Sequence, residues 1–172
     1  MSTKTLMSVE EYRHASFDGP DCEYLDGEIV ERNVGELPHG KIQGNLIRLF
    51  WQHYPRLGLL VVPEIRIQIH STRFRVADIA VWRDENVGSP IPVVPPFLAI
   101  EILSPEDRMV RMAPKVQEYL SIGVEWVWVV DPEEKSALIY SRQNPGGSLA
   151  EVLTTRNPEI QIPLARVFDL NA

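Results

Sequence analysis

The sequence lacks several features that would assign it to a protein class at once. It has one cysteine, Cys22, so an intramolecular disulfide is excluded, and no Cys/His cluster has the ligand spacing of a zinc site. No apolar segment typical of a signal peptide follows Met1, and the apolar runs are too short to span a bilayer. We therefore expect a cytoplasmic protein without a membrane partner.

Common nucleotide-binding and hydrolase signatures are also missing. The sequence contains no GxGxxG, Walker A, HExxH or CxxC pattern. Positive charge is scarce, with 17 Lys and Arg against 24 Asp and Glu and a formal net charge of −7. Because phosphate binding normally comes with a basic surface, this balance weighs against tight, sequence-tolerant DNA binding. A local basic stripe would still be compatible with a nucleic-acid partner.

The composition that is present is that of an ordinary globular domain. The chain has 172 residues, of which 44% are hydrophobic and 24% are charged. This length suffices for one domain with a sizeable core. Neither an internal repeat nor a dividing linker is visible, so we expect a single domain over residues 1–172.

Local patterns predict a mixed sheet with helices on its faces. Capping and apolar spacing predict helices over 8–16, 39–54 and 113–121. Alternating or continuous apolar runs predict strands over 59–69, 74–82, 97–103, 126–130, 137–140 and 149–153, and a hairpin around Asp26-Gly27. Residues 83–96 are predicted to form a loop, and 104–107 a strand exit. This order, which ends in strand–helix–strand, indicates an α/β fold of the mixed α+β kind.

Glu101 is the first candidate functional residue. It stands alone among the apolar side chains of the predicted strand 97–103. An ionised carboxylate in that setting is costly unless a metal ion or a cation compensates it. An arginine partner is an equally open alternative, because structural ion pairs are common and the chain offers Arg66, Arg73 and Arg75.

Asp78 is the second lone carboxylate, in the apolar run 76–81. Aspartate is disfavoured inside a strand, although an edge strand or a bulge would also accommodate it. Carboxylates on successive core strands can converge where the strands splay, which makes an oxygen-ligand site suited to Mg²⁺. Such an ion polarises a phosphoryl oxygen and lowers the pKa of a bound water. We expect the carboxylate oxygens of Asp78 and Glu101 to lie within about 7 Å of each other.

Three further residues are candidates for the same site. Lys115 lies at the edge of the apolar face of the predicted helix 113–121, where it can position a water and offset phosphate charge; the alternative is a solvated helix lysine. His39 precedes the long helix and can carry a proton. Glu28 follows the hairpin turn, where most glutamates are simply exposed. Ser104 has no base or oxyanion partner in the sequence, so we do not interpret it as a nucleophile.

Several segments of the sequence resemble the Uma-two family. They are Glu23–Val30, His39-Gly40, Arg75–Val81, Leu98–Pro105, Lys115–Tyr119 and Gly123–Pro132. This family was formerly a domain of unknown function, is abundant in cyanobacteria and other bacteria, and is placed in the PD-(D/E)XK nuclease superfamily. The resemblance covers nearly the whole chain.

The resemblance implies a restriction-endonuclease-like fold, in which a mixed β-sheet core is flanked by helices. It also implies a bacterial Mg²⁺-dependent endonuclease acting on DNA, with Mn²⁺ as a substitute, and metal-binding carboxylates at Asp78 and Glu101. Family members have no lysine two residues after the glutamate, and Leu103 holds that place here. The implied replacement is Lys115 on the following helix.

Two other residues, His39 and Glu28, match family-typical positions and are implied to border the site. The sequence departs from the family pattern at two places. Ala77 replaces the usual proline before the aspartate, which should be harmless because the aspartate carries the chemistry. Pro114 directly precedes Lys115. Because proline is tolerated only in the first helical turn, we expect the helix to start late and to shift the lysine.

The leading hypothesis is a Mg²⁺-dependent phosphodiesterase that acts on DNA. One alternative is a catalytically inactive binding or assembly module that kept the fold, which the acidic net charge favours. Another is a metal-dependent hydrolase of a different phosphate ester. We also expect a homodimer, because many nucleases of this superfamily pair to cut two strands, and Trp51, Trp126 and Trp128 can serve either core or interface.

Overall fold

The structure is a computed structural model that describes residues 6–32, 35–83, 87–88, 90–104 and 109–169. Its helices are α1 (Val9–His14), α2 (Leu37–His53), α3 (Met109–Ser121) and α4 (Leu164–Phe168), with a 3-10 turn at Pro55–Leu57. Its strands are β1 (Glu23–Leu25), β2 (Glu28–Val30), β3 (Leu60–His70), β4 (Arg73–Trp82), β5 (Leu98–Ile102), β6 (Trp126–Asp131), β7 (Ser136–Ser141), β8 (Ser148–Leu149), β9 (Val152–Thr155) and β10 (Ile160–Pro163). Within these ranges, no helix combines the length and the apolar character needed to cross a bilayer.

Eight of the strands form one mixed sheet, which confirms the predicted fold class. The order is β2-β1-β4-β5-β6-β7-β8, and β3 pairs with β4 outside this path. β5 and β6 are parallel and are joined through α3, while the other neighbours are antiparallel. Strand–helix–strand connections between parallel strands are nearly always right-handed, which packs the helix against the sheet.

The pairing of β4 changes along its length, and this change positions the candidate site. β3 pairs with β4 from Arg73 to Trp82. On its other edge, β4 pairs with β1 at Arg73 and Phe74 and with β5 only from Ile79 to Val81. The stretch 75–78 therefore lies between two partner strands that diverge, so side chains must satisfy its backbone groups.

Helices cover both faces of the sheet. α2 packs its apolar side against one face, where fully buried Trp128 stacks on Phe50 with the ring centroids 6.1 Å apart. α4 and the β9–β10 hairpin join this core. α3 covers the other face with Val116 and Tyr119, both without solvent exposure. The apolar faces of α2 and α3 thus pack against the core, as the spacing of their apolar residues predicts.

The start of α3 corrects one expectation. The helix begins at Met109 and runs through Pro114, so the prediction of a late start was wrong. A proline inside a helix costs about 3 kcal/mol, whereas burying a large apolar side chain contributes roughly 1.5–3 kcal/mol. Val116 and Tyr119 are both fully buried just after the proline, so their packing offsets the lost hydrogen bond, and Lys115 keeps its place.

The C-terminal strands also differ from the prediction. The predicted strand 149–153 is divided between β8, which lies at the edge of the main sheet, and β9, which pairs with β10 in a second sheet. Ala150 donates its backbone N–H to Ala137 and then the chain leaves the main sheet. β10 and α4 were not predicted. Residues 84–86 and 89 of the predicted loop, and 105–107 of the predicted strand exit, lie outside the described residues.

Candidate functional site

Asp78 and Glu101 lie opposite each other where β4 and β5 diverge. The last regular pair is Ile79 with Ile100, and one further step along the antiparallel register places Asp78 opposite Glu101. Side chains at directly opposite positions point to the same face, with Cβ atoms about 4.5–5.5 Å apart. The backbone N–H of Ile102 donates to Asp78 Oδ2 at 2.7 Å. The Asp78 side chain therefore takes the place of the next backbone hydrogen bond between β4 and β5. A shared cation stays a prediction.

Glu101 is held by two side chains of α3. Tyr119 donates its hydroxyl to Oε1 and Lys115 donates to Oε2, both at 2.8 Å. Glu101 is 2% exposed. Burial raises the pKa of Glu101 to about 7, since the opposing effect of Lys115 is itself weakened by the negative charges of Asp78 and Glu23. The ionised form of this carboxylate is therefore costly in the protein.

The cation beside Glu101 is a lysine and not one of the arginines considered from the sequence. Arg66 pairs with Asp21, and Arg73 and Arg75 both pair with Glu118. Each of these arginines is thus engaged by another carboxylate. The arginine-paired alternative for Glu101 is not what the structure contains.

Lys115 is buried, which contradicts the alternative of a solvated helix lysine. Its ammonium group donates to Glu101 at 2.8 Å, to the Val76 carbonyl at 2.9 Å and contacts Glu23 at 3.0 Å. An ammonium has three N–H donors, so all are engaged in this state. Burial lowers the pKa of Lys115, but Glu101, Glu23 and Asp78 outweigh burial and the net pKa is raised. Lys115 is therefore charged. It orients Glu101 and also donates a hydrogen bond to the Val76 carbonyl, which lies on the edge of β4 between its pairings with β1 and β5.

Asp78 is surrounded by positive groups. Arg32 donates to Oδ1, and His39 Nε2 lies 3.3 Å from Oδ2. Burial tends to raise the pKa of Asp78, but the hydrogen bond from His39 and the charges of Lys115 and Arg32 outweigh it, so the pKa is lowered. Burial likewise tends to lower the pKa of His39, and Asp78 reverses this, so its pKa is raised. The structure thus brings His39 to the site.

Several residues of the site were missed by the sequence reasoning, among them Tyr119 and Glu23 as well as Arg32, Gln43 and Glu64. Arg32, which follows β2, bridges Asp78 and Glu64. Gln43 of α2 donates to Glu64 Oε1 at 2.8 Å and to the Asp78 carbonyl at 2.9 Å. Glu64 lies in β3 between residues paired to either side of Asp78 and has a φ of +50°, which is uncommon for a non-glycine residue. A carboxylate directly after Pro63 in an apolar strand was the one available sequence signal.

The hairpin places Glu23 at the site. Glu23 is 6% exposed, forms ion pairs with Lys115 and Arg75, and accepts a hydrogen bond from the Val76 N–H at 3.2 Å. Burial tends to raise the pKa of Glu23, but Lys115 and Arg75 outweigh it and the pKa is lowered. Glu28, the hairpin residue considered from the sequence, lies opposite Leu25 in β2 and is not among the residues that line the cavity described next.

One cavity of about 300 Å³ joins these groups. Its lining contains both acidic and basic side chains. The charged and polar lining comprises Glu23, Glu31, Arg32, His39, Arg75, Asp78, Glu101, Ser104 and Lys115. The cavity therefore combines carboxylates that can hold a cation with basic groups that can meet a phosphate, in spite of the negative charge of the whole chain.

The donor set of the cavity fits a hard divalent cation. Mg²⁺ is usually held through one or two carboxylates, with waters and substrate phosphates as its other ligands. Asp78 and Glu101 supply two such groups. Among the described residues, no cluster of three or more His, Cys, Asp or Glu side chains is arranged to hold a metal. Each carboxylate already accepts hydrogen bonds from cations, so a metal ion at Asp78 must compete with Arg32.

Comparisons with known proteins agree with this fold. A family model named Uma2, with the description "putative restriction endonuclease", matches residues 9–171. A solved structure described as a putative nuclease belonging to DUF820 from Anabaena variabilis ATCC 29413 superposes with a TM-score of 0.81 at 20% identity. The match covers 95% of this chain and 98% of that one, and at this identity it shows the shared fold. No curated protein matches the chain.

Proposed function

The chain belongs to the Uma2 family, and from this premise we propose that it is an endonuclease that hydrolyses phosphodiester bonds of DNA and depends on Mg²⁺, which Mn²⁺ can replace. The observation that carries the proposal is the position of Asp78 opposite Glu101, on one wall of a cavity where Lys115 bonds Glu101. Two buried carboxylates in a site rich in basic groups suit a cation-assisted reaction on a phosphate ester.

In this proposal the carboxylates of Asp78 and Glu101 hold the metal ion. The ion supplies Lewis-acid polarisation of a phosphoryl oxygen and a bound water of lowered pKa. Tyr119 and Lys115 fix the two oxygens of Glu101, and the lysine charge favours the ionised form that a metal ligand needs. His39 beside Asp78 carries a proton in its charged form, which makes it the proton-holding group at the rim.

A binding or assembly module without catalysis is the second candidate function. The observation that favours it is the complete pairing of the two carboxylates, whose oxygens accept bonds from Arg32, Ile102, Tyr119 and Lys115. Such a network stabilises the fold without a metal ion. The net charge of −7 also fits a module that does not bind DNA tightly.

Asp78→Asn separates these two functions. In the nuclease, the variant should weaken Mn²⁺ binding by about tenfold or more and remove DNA cleavage, because the amide keeps the shape but loses the charge. Isothermal titration with Mn²⁺ and a plasmid cleavage assay with Mg²⁺ measure both effects. Asp21→Asn is the matched control, since Asp21 also pairs with an arginine but lies outside the cavity. A wild-type protein that binds no Mn²⁺ and cuts no DNA would favour the module.

We also propose a homodimer, because two sites are needed to cut both strands of a duplex in one encounter. Of the three tryptophans considered for an interface, Trp128 is fully buried and Trp51 is 68% exposed. Exposed aromatic residues are enriched at interfaces. Sedimentation equilibrium at micromolar concentration should give the dimer mass, and Trp51→Ala should shift the equilibrium towards monomer. A wild-type protein that is only monomeric would contradict the proposal.

A further inference from the structure

Arg32 is the cation that a metal ion at Asp78 would displace. Arg32 is the second residue after β2, and its guanidinium bonds both Asp78 on β4 and Glu64 on β3. The Arg32 side chain is 15% exposed and the Asp78 side chain 4%. In the metal-free protein Arg32 therefore supplies, together with His39 and Lys115, the positive charge that a buried Asp78 requires.

Lys115 and Arg75, two of the other basic groups that line the cavity, are paired with carboxylates other than Asp78, whereas His39 Nε2 also lies 3.3 Å from Asp78 Oδ2. Lys115 is held by Glu23 as well as by Glu101. Arg75 is held by Glu23 and Glu118, neither of which is a proposed metal ligand. A cation that binds between Asp78 and Glu101 thus leaves Lys115 paired with Glu23, and Arg75 paired with Glu23 and Glu118. It shares Glu101 with Lys115 and competes with Arg32 for Asp78.

Glu64 is the second carboxylate partner of Arg32. It bonds Arg32 with one oxygen and accepts from Gln43 with the other, at 2.8 Å. Its side chain is 42% exposed, so this end of the pair already faces solvent. A planar guanidinium has five N–H donors and matches a phosphate with two parallel bonds. Once Arg32 is freed from Asp78, its N–H donors can bind a substrate phosphate beside the proposed metal position at Asp78 and Glu101.

We propose that Arg32 is a phosphate-binding residue of the site, held by Asp78 in the metal-free protein and transferred to the substrate phosphate when a divalent cation occupies Asp78. The exchange couples the two binding events: the metal frees the guanidinium, and the phosphate keeps it from returning to Asp78. The assignment rests on the proposed function, because it requires a cation at Asp78.

The first test is a titration with Mn²⁺ alone. Arg32→Met removes the competing charge, so Mn²⁺ should bind about tenfold more tightly or better than to the wild type. Arg66→Met is the matched control: its side chain is 12% exposed, it pairs with Asp21, and it lies outside the cavity. The control should leave Mn²⁺ affinity unchanged. Circular-dichroism melts establish that both variants are folded, and Arg32→Gln, which is also uncharged, serves if Arg32→Met does not fold.

The second test measures DNA binding with and without the cation. With saturating Ca²⁺, an oxygen-ligand ion, Arg32→Met should bind a short labelled duplex about tenfold more weakly than the wild type at the same salt concentration. In EDTA the two proteins should differ little, because Arg32 is then engaged by Asp78. Arg32→Lys keeps the charge but loses the two-pronged geometry, so it should recover only part of the lost affinity in Ca²⁺.

The outcomes distinguish this assignment from the proposed function. If the wild type binds Mn²⁺ through Asp78 but Arg32→Met binds it no more tightly, or loses DNA affinity equally with and without Ca²⁺, the role of Arg32 is overturned and the nuclease proposal stands. If neither the wild type nor Arg32→Met binds Mn²⁺, both proposals fall. Tighter Mn²⁺ binding together with a Ca²⁺-dependent loss of DNA affinity supports the exchange.

Discussion

Glu101→Gln should abolish DNA cleavage and, in EDTA, raise the free energy of unfolding by about 1 to 3 kcal/mol. The amide keeps the shape of the side chain but removes the charge that a metal ion needs. Its oxygen can still accept from Lys115, and its N–H group can donate to the Tyr119 hydroxyl, which also accepts. Removing a costly buried charge without stranding its partners stabilises the protein.

The pH dependence of this gain has a definite sign. In the folded protein the pKa of Glu101 is raised from 4.5 to about 7, so the folded state binds the proton more tightly than the unfolded state. Wild-type stability contributed by this group is fully present below pH 4.5 and is lost as the pH rises through about 7. The glutamine variant does not titrate here, so its advantage should be small near pH 5 and largest above pH 7.

Denaturant unfolding in EDTA at several pH values measures this difference without any knowledge of the substrate. Glu125→Gln is the control, because Glu125 forms an exposed pair with Arg83 away from the cavity. Its effect should be within about 0.5 kcal/mol of zero at every pH. If Glu101→Gln were instead less stable than the wild type above pH 7, the charge of Glu101 would be a structural counterion of Lys115. The metal-ligand interpretation of Glu101 would then be wrong.

Lys115→Met should be strongly destabilising, by about 3–5 kcal/mol near neutral pH. The substitution keeps an unbranched side chain of similar length but leaves Glu101 and Glu23 without the cation between them. Both carboxylates are almost fully buried, so water cannot replace the lost ammonium. The Val76 carbonyl, which accepts from Lys115 at 2.9 Å, also loses its partner.

Equilibrium unfolding of a small set of variants tests this role. Lys41→Met on the exposed side of α2 is the matched control and should change stability by no more than about 0.5 kcal/mol. The double variant Lys115→Met/Glu101→Gln should recover part of the loss, because it removes one stranded charge together with the cation. A double-mutant cycle gives this coupling free energy. A loss below about 1 kcal/mol for Lys115→Met would mean that the lysine does not neutralise the buried carboxylates.

Much of the fold could be predicted because it depends on local patterns. Apolar periodicity placed α2, β3, β4 and β6 within a few residues of their observed bounds. It did less well where neighbouring parts of the molecule decide the outcome. α3 runs through Pro114 because the packing of Val116 and Tyr119 against the sheet stabilises the helix. β8 and β9 separate because the chain meets the edge of the main sheet and then pairs with β10.

By itself, the sequence determined which carboxylates are anomalous. Asp78 and Glu101 interrupt apolar runs. Because burying a lone charge is costly wherever the strand lies, the sequence indicates that both residues are important even before their partners are known. Only the tertiary structure decided what surrounds them. Glu23 and Arg32 lie in or next to a short hairpin far from Asp78 in the sequence, and Glu64 lies in the neighbouring strand β3. Which distant ion pairs form depends on strand order and register, which place Asp78 between β3 and β5 and leave one edge of β4 open to the hairpin.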